Sequence, residues 1–232
     1  MPEALKLHLG CGTVRQPGFV NCDLHKTAAT DMVFDVQERW PFADNSASLI
    51  ASAHMLEHLD DPLAFFREAW RVLRPTGMLS LQLPYGASDE GATDLTHKRL
   101  WFPGTFCAFQ PGYGEIIGNP QHEWPAPFSV DYVGARIHRD LVWLARWPWR
   151  AIGLRVLRFL WSGYVELFVQ MTALKTPEQL AMFREHGHPG NTVPFTVVAW
   201  MADWDRRYRG PAQLKEFAGG RCENTPGEVG HR

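Results

Sequence analysis

An α/β fold built on a mostly parallel sheet is predicted by three features of this 232-residue sequence. Short apolar strands recur through the first half of the chain. Most of them carry an acid or a glycine at the carboxyl end. One well-signalled helix lies between the fourth and fifth strands, as a crossover between parallel strands requires. Ligands of such sheets bind outside the carboxyl ends of the strands, where the strand order reverses. The length and a hydrophobic content of 45% suit one domain with a sizeable core.

The elements follow in order. Leu5, Leu7 and Leu9 alternate with Lys6 and His8 in a first strand that breaks into Gly10-Cys11-Gly12. Glycines there allow positive φ and let a ligand approach main-chain N–H groups. Thr13 to Gly18 is too short and too broken by Pro17 and Gly18 for a long helix. Phe19–Leu24 and Asp31–Val36 read as the second and third strands, each with an acid near its end, and Ser48–Ala53 as the fourth. A helix starts after Asp61, a good N-cap, with Pro62 at its first position. Leu63, Phe66, Trp70 and Leu73 form its apolar stripe, and Pro75-Thr76-Gly77 stops it. Met78–Leu83 is a fifth strand. Ser129–Ile137 reads as a sixth, 141–183 as helical with breaks at Pro148 and Pro177, and Val193–Met201 as the last strand, with Pro194 suggesting an edge or an end.

Composition excludes several classes. A net charge of −2 and a pI near 6.5 offer no basic face for nucleic acid. The four cysteines form no CxxC pair, and Cys11 sits inside the glycine turn, so a reducing, cytoplasmic setting is expected. The first residues lack a basic stretch followed by an apolar run, so no signal peptide is expected. The most apolar segment, 141–161, contains Arg146, Arg150, Arg155, Arg158 and Pro148, which excludes a membrane span there.

The glycine turn narrows the ligand. A dinucleotide turn needs a third glycine where Arg15 stands, and its ribose-binding acid should come later than Asp23. No Gly-Lys-Ser/Thr follows, which removes a P-loop. On His8-Leu9-Gly10-Cys11-Gly12, Asp23, Asp35 with Trp40-Pro41-Phe42, Ala53-His54-Met55-Leu56-Glu57-His58-Leu59, and Arg71-Val72-Leu73-Arg74-Pro75-Thr76-Gly77-Met78-Leu79, the chain resembles class I S-adenosylmethionine-dependent methyltransferases, in the branch acting mostly on small molecules. The resemblance covers Leu5 to Tyr85. It implies a Rossmann-like, doubly wound, mostly parallel sheet of seven strands with the last antiparallel, and S-adenosylmethionine as cofactor. Gly10, Cys11 and Gly12 would pack against the methionine part. Asp23, with Leu24 beside it, would accept hydrogen bonds from the ribose hydroxyls. Asp35 would meet the adenine amino group, with Val36 and Gln37 beside the ring. Ala53 and His54 would line the pocket near the sulfonium. Two features depart from the family: Ala47-Ser48 stands where Phe-Asp is usual, and the first helix is reduced or absent.

A sulfonium methyl is already activated, so the enzyme mainly aligns the acceptor, a small molecule with a hydroxyl or amine. An acceptor that loses a proton needs a base, for which His54, His58, His97 and Tyr85 are the candidates. No metal is expected. His54-Met55-Leu56-Glu57-His58 also fits H-x-x-E-H, so a metal-assisted enzyme using His54, Glu57 and His58 is one alternative. A catalytically silent cofactor-binding module is the other. The domain is expected to span 1–208, with 86–128 and 138–190 as substrate-cap insertions and 209–232 as a disordered tail. Within 139–161, tryptophans alternate with arginines. That pattern suits an inward-facing helical cap or a peripheral membrane contact.

Overall fold

In a computed structural model the chain is described over residues 5–145, 152–153, 156, 160–186 and 195–198. Eight strands form one sheet in the order β3-β2-β1-β4-β5-β7-β6-β8. They are β1 (Leu5–Leu9), β2 (Val20–Asp23), β3 (Met32–Val33), β4 (Ala47–Ala53), β5 (Leu73–Pro84), β6 (Phe128–Ile137), β7 (Tyr164–Ala173) and β8 (Phe195–Val198). The chain winds outward from β1 to β3 and returns with β4 to the other side of β1, so the order reverses between β1 and β4. Strands β1 to β5 are parallel, and β7 is antiparallel to both β5 and β6. The Rossmann-like, mostly parallel sheet is therefore borne out. Its first seven strands contain the single antiparallel strand, and β8 adds an eighth at the edge, parallel to β6.

One face of the middle of the sheet is apolar, with Leu7, Leu9, Ile50, Leu79 and Leu83 all fully buried, while the opposite face buries His8 and Ser80 beside Ala51. Helix α1 (Pro62–Val72) starts where the sequence places it, and Asp61 Oδ1 accepts from the Ala64 N–H at 3.1 Å. Its buried residues are Pro62, Phe65, Phe66, Ala69 and Val72; of the predicted stripe, Phe66 and Leu73 are buried and Trp70 is partly buried, whereas Leu63 is exposed. The ring of Phe66 lies 4.0 Å from that of Phe109 and 5.5 Å from that of Phe65, in one aromatic cluster. No helix joins β1 to β2; turns occupy that connection, as the short segment predicts.

The largest departure is β7. The sequence pattern predicts helix over 141–183, whereas Tyr164–Ala173 is an interior strand hydrogen-bonded to both β5 and β6. Val165, Leu167, Val169 and Met171 alternate with Glu166, Gln170 and Thr172, a period of two that Phe168 interrupts and that the helical reading misses. Among the described residues of that stretch, helix is found in a 3-10 turn over Arg139–Ala145, at Ile152, Gly153 and Val156, and in α4 (Pro177–His186). Of the final strand expected over Val193–Met201, Phe195–Val198 is described and is a strand; 193–194 and 199–201 lie outside the described residues. The third shrinks to Met32–Val33, while the fifth begins at Leu73, directly after α1. The segment after β5 carries two short helices, α2 (Asp89–Ala92) and α3 (Tyr113–Ile116), and 3-10 turns at Pro103–Phe109 and Pro120–His122. Trp143 and Trp161 are exposed rather than inward-facing, and the Trp161 indole N–H donates to Asp89 Oδ1. The expected tail at 209–232, together with Trp147 and Trp149, lies outside the described residues. No helix among the described residues is long and apolar enough to cross a membrane.

Candidate active site

The glycine turn ends β1 beside the point of strand reversal. Gly10 and Gly12 have φ of +70° and +51°, a region where side chains are strained. A Cβ on Gly12 would meet nothing within 4 Å, so the space above its backbone is open. Between them, Cys11 is buried, its N–H donating to the Cys22 carbonyl at 3.0 Å and its Sγ lying 3.8 Å from Thr30 Oγ1. Burial pushes the Cys11 thiol up.

Asp23, the last residue of β2, joins the second strand to the turn. Its Oδ2 accepts from the Gly12 N–H at 2.7 Å and its Oδ1 from the His25 N–H at 3.0 Å. A carboxylate has about four lone-pair directions, so each oxygen keeps one to spare. Leu24 is exposed beside it. Asp35 Oδ1 accepts from the Gln37 N–H at 2.8 Å, closing a tight turn after β3. Val36 is buried, with its carbonyl held by the Trp40 indole at 2.9 Å. Gln37 reaches away from this turn, and its Oε1 accepts from the Asp61 N–H at 2.9 Å, tying the loop after β3 to the start of α1.

Ala53 ends β4, and His54 follows with φ +51°, a strained value for a non-glycine residue. The His54 N–H donates to the Gln82 carbonyl at 3.0 Å. Its ring stands between two carboxylates, with Nε2 3.0 Å from Glu166 Oε1 and Nδ1 3.4 Å from Glu57 Oε1. Burial disfavours the charged ring, but these two carboxylates outweigh it and raise the His54 pKa to about 9. Glu166 is in turn held by the Gln82 amide at 3.0 Å and by Arg136 Nε at 2.7 Å. Burial pushes the Glu166 carboxyl upward, but His54, Arg136 and Gln82 leave it below its ordinary value.

His58 and His97 come together, their ring centroids 4.8 Å apart. His58 closes a 3-10 turn (Leu56–His58) after β4, while His97 comes from the segment after α2. That segment docks on the turn through Lys98, whose N–H donates to the Glu57 carbonyl at 2.7 Å and whose Nζ pairs with Asp60 at 2.6 Å. Tyr85 lies farther along, its ring packed 5.4 Å from Tyr164 and 5.6 Å from Phe102.

The structure thus joins Gly12 to Asp23, His54 to Glu57, and His58 to His97. Gln82, Arg136 and Glu166 escaped the sequence reading because 164–173 reads as helix. A signal was present, however. Glu166 is the one charge within Tyr164–Ala173, and it pairs in register with Arg136 of β6.

Residues 14–81 match the family model described as a methyltransferase domain. No curated protein matches the chain. Solved structures with a resembling chain path include an S-adenosylmethionine-dependent methyltransferase from Archaeoglobus fulgidus, at 14% identity and TM-score 0.46, covering 72% of this chain and 85% of the other. Another, from Mesorhizobium loti, has 16% identity and TM-score 0.41, covering 74% and 93%. At TM-scores below 0.5 these likenesses carry no weight for the function.

Proposed function

We propose, from the premise that residues 14–81 are a methyltransferase domain of the class that uses S-adenosylmethionine, that the chain methylates a small-molecule acceptor through a hydroxyl or an amine. The observation that supports this reading is the pairing of an open, positive-φ Gly12 with a carboxylate that keeps lone pairs to spare. Gly10 and Gly12 would hold the methionine end, Asp23 the ribose hydroxyls, and Asp35 and Val36 the adenine. The cofactor supplies an electrophilic methyl on a sulfonium. The protein's own work is then to align an acceptor with it and to exclude water.

We assign the three histidines different tasks. His54, with both ring nitrogens turned to carboxylates, holds a proton near neutral pH and serves to fix the floor of the pocket rather than to accept a proton. His58 and His97 face the acceptor side, covered by the segment after β5. Three buried free thiols, Cys11, Cys22 and Cys107, fit a reducing cytoplasmic setting.

The test is incubation with methyl-tritiated S-adenosylmethionine and fractionated cell extract. Label should enter low-molecular-mass material and depend on Asp23. Label found instead in protein or nucleic acid would overturn the small-molecule reading. Cofactor binding without transfer to any fraction would indicate a silent binding module.

A further inference from the structure

We propose that Glu57, His58 and His97 form a binding site for a divalent transition-metal ion, with Zn²⁺ the ion their chemistry suits best. One donor atom of each side chain lies within 4.8 Å of the other two. The decisive member is Glu57. Its side chain is 1% exposed, and neither carboxylate oxygen takes a hydrogen bond. Its nearest counter-charge is His54 Nδ1, 3.4 Å from Oε1, which leaves the rest of the carboxylate unmatched. A buried carboxylate without hydrogen bonds is costly, and coordination is one of the few ways to offset it.

The two imidazoles are prepared as ligands. His97 Nδ1 lies 3.0 Å from the Gly91 carbonyl, which can only accept, so Nδ1 carries the proton. His58 Nδ1 lies 3.0 Å from Thr96 Oγ1, whose own hydrogen is given to Asp94 Oδ1 at 2.7 Å. That hydroxyl can therefore only accept, and His58 also carries its proton on Nδ1. Both rings keep the lone pair on Nε2; for His97 that atom lies 3.7 Å from Asp94 Oδ2, beyond hydrogen-bond distance. An oxygen acceptor fixing the tautomer of a ligating histidine is the usual outer support of a metal site.

Two imidazoles and one carboxylate suit Zn²⁺ or a neighbouring first-row ion, whereas Mg²⁺ and Ca²⁺ want oxygen ligands. Tetrahedral Zn²⁺ needs donor atoms about 3.3 Å apart, so the three side chains close in by small rotations on binding. Three protein ligands leave a position open for an acceptor oxygen, whose proton the ion would make easier to lose. Metal binding here does not rest on the methyl-transfer reading. A chain that binds metal but no S-adenosylhomocysteine would keep this site and lose that function.

The test uses the full chain, stripped with chelator and titrated with Co²⁺, then with Zn²⁺ as competitor. One Co²⁺ per chain with visible d–d bands, displaced by Zn²⁺, is expected. Glu57→Gln and His97→Gln should each weaken Co²⁺ binding at least about 100-fold, the upper end of what losing even an outer partner costs. His122→Gln, in the 3-10 turn Pro120–His122, should leave it within a few-fold. Circular dichroism melts verify folding, and His97→Gln, in the docked segment, remains informative if Glu57→Gln unfolds. Absence of a stoichiometric Co²⁺ band overturns the site, as does a folded His97→Gln with unchanged affinity. Loss of binding in His122→Gln but not in His97→Gln would also overturn it.

Discussion

A side chain on Gly10 would place its Cβ 2.8 Å from the Cβ of Met55, whereas at Gly12 the same atom would meet nothing within 4 Å. Two glycines that look equivalent in the sequence thus have different reasons to be glycine. Gly10 is required by the protein's own packing, and Gly12 leaves room for a ligand. Gly12→Ala should cost only the left-handed backbone penalty, about 1–2 kcal/mol, yet weaken S-adenosylhomocysteine binding sharply. Gly10→Ala adds overpacking of about 1–3 kcal/mol to the same penalty. Urea unfolding and ligand titration of both variants check this. Equal stability losses, with cofactor affinity kept in Gly12→Ala, would contradict it. The individual roles of the histidines belong to this scale as well. The sequence shows two of them, His54 and His58, just after one strand end, but which nitrogen faces which oxygen depends on partners as distant as Glu166.

The connection between β2 and β3 positions Asp23, and Asp31 organises it. Asp31 accepts from the Asn21 N–H at 2.9 Å and from its side-chain amide at 3.0 Å, and pairs with Arg15 at 2.5 Å. The Asn21 hydrogen bonds, followed by Arg15, lower its pKa from 3.8 to about 2. A lowered carboxyl pKa contributes stability that is complete above 3.8 and is lost as pH falls towards 2. The urea midpoints of wild type and Asp31→Asn should therefore differ at pH 5 and converge as pH approaches 2. A gap independent of pH would contradict this account. Elements whose signals are local were legible in the sequence: β1, β4, β6 and the capped start of α1. β7 was not, because Phe168 interrupts its alternation of Val165, Leu167, Val169 and Met171 with Glu166, Gln170 and Thr172, and its pairing with β5 and β6 is a long-range contact. On α1, Phe66 of the predicted stripe is buried as expected, and the exposed Leu63 is the residue misplaced.

At the scale of the molecule, the reversal of strand order between β1 and β4 brings Gly12, Asp23, Asp35 and His54 to one end of the sheet. Up to Tyr85 this convergence could be read from motif order alone. After β5 it could not, because the segment carrying His97 has no periodic pattern. Its placement depends on docking contacts such as Lys98 to Glu57. The covered side of the crevice, and with it the nature of the acceptor, is thus set by long-range contacts. The cofactor side is set by short stretches at strand ends. The central claim concerns that cofactor side, and isothermal titration of S-adenosylhomocysteine tests it most directly. Wild type should bind one equivalent per chain, and Asp23→Ala, folded by circular dichroism, should give no measurable heat of binding. A folded wild-type chain that binds none, or an Asp23→Ala chain that binds as tightly as wild type, would contradict the account.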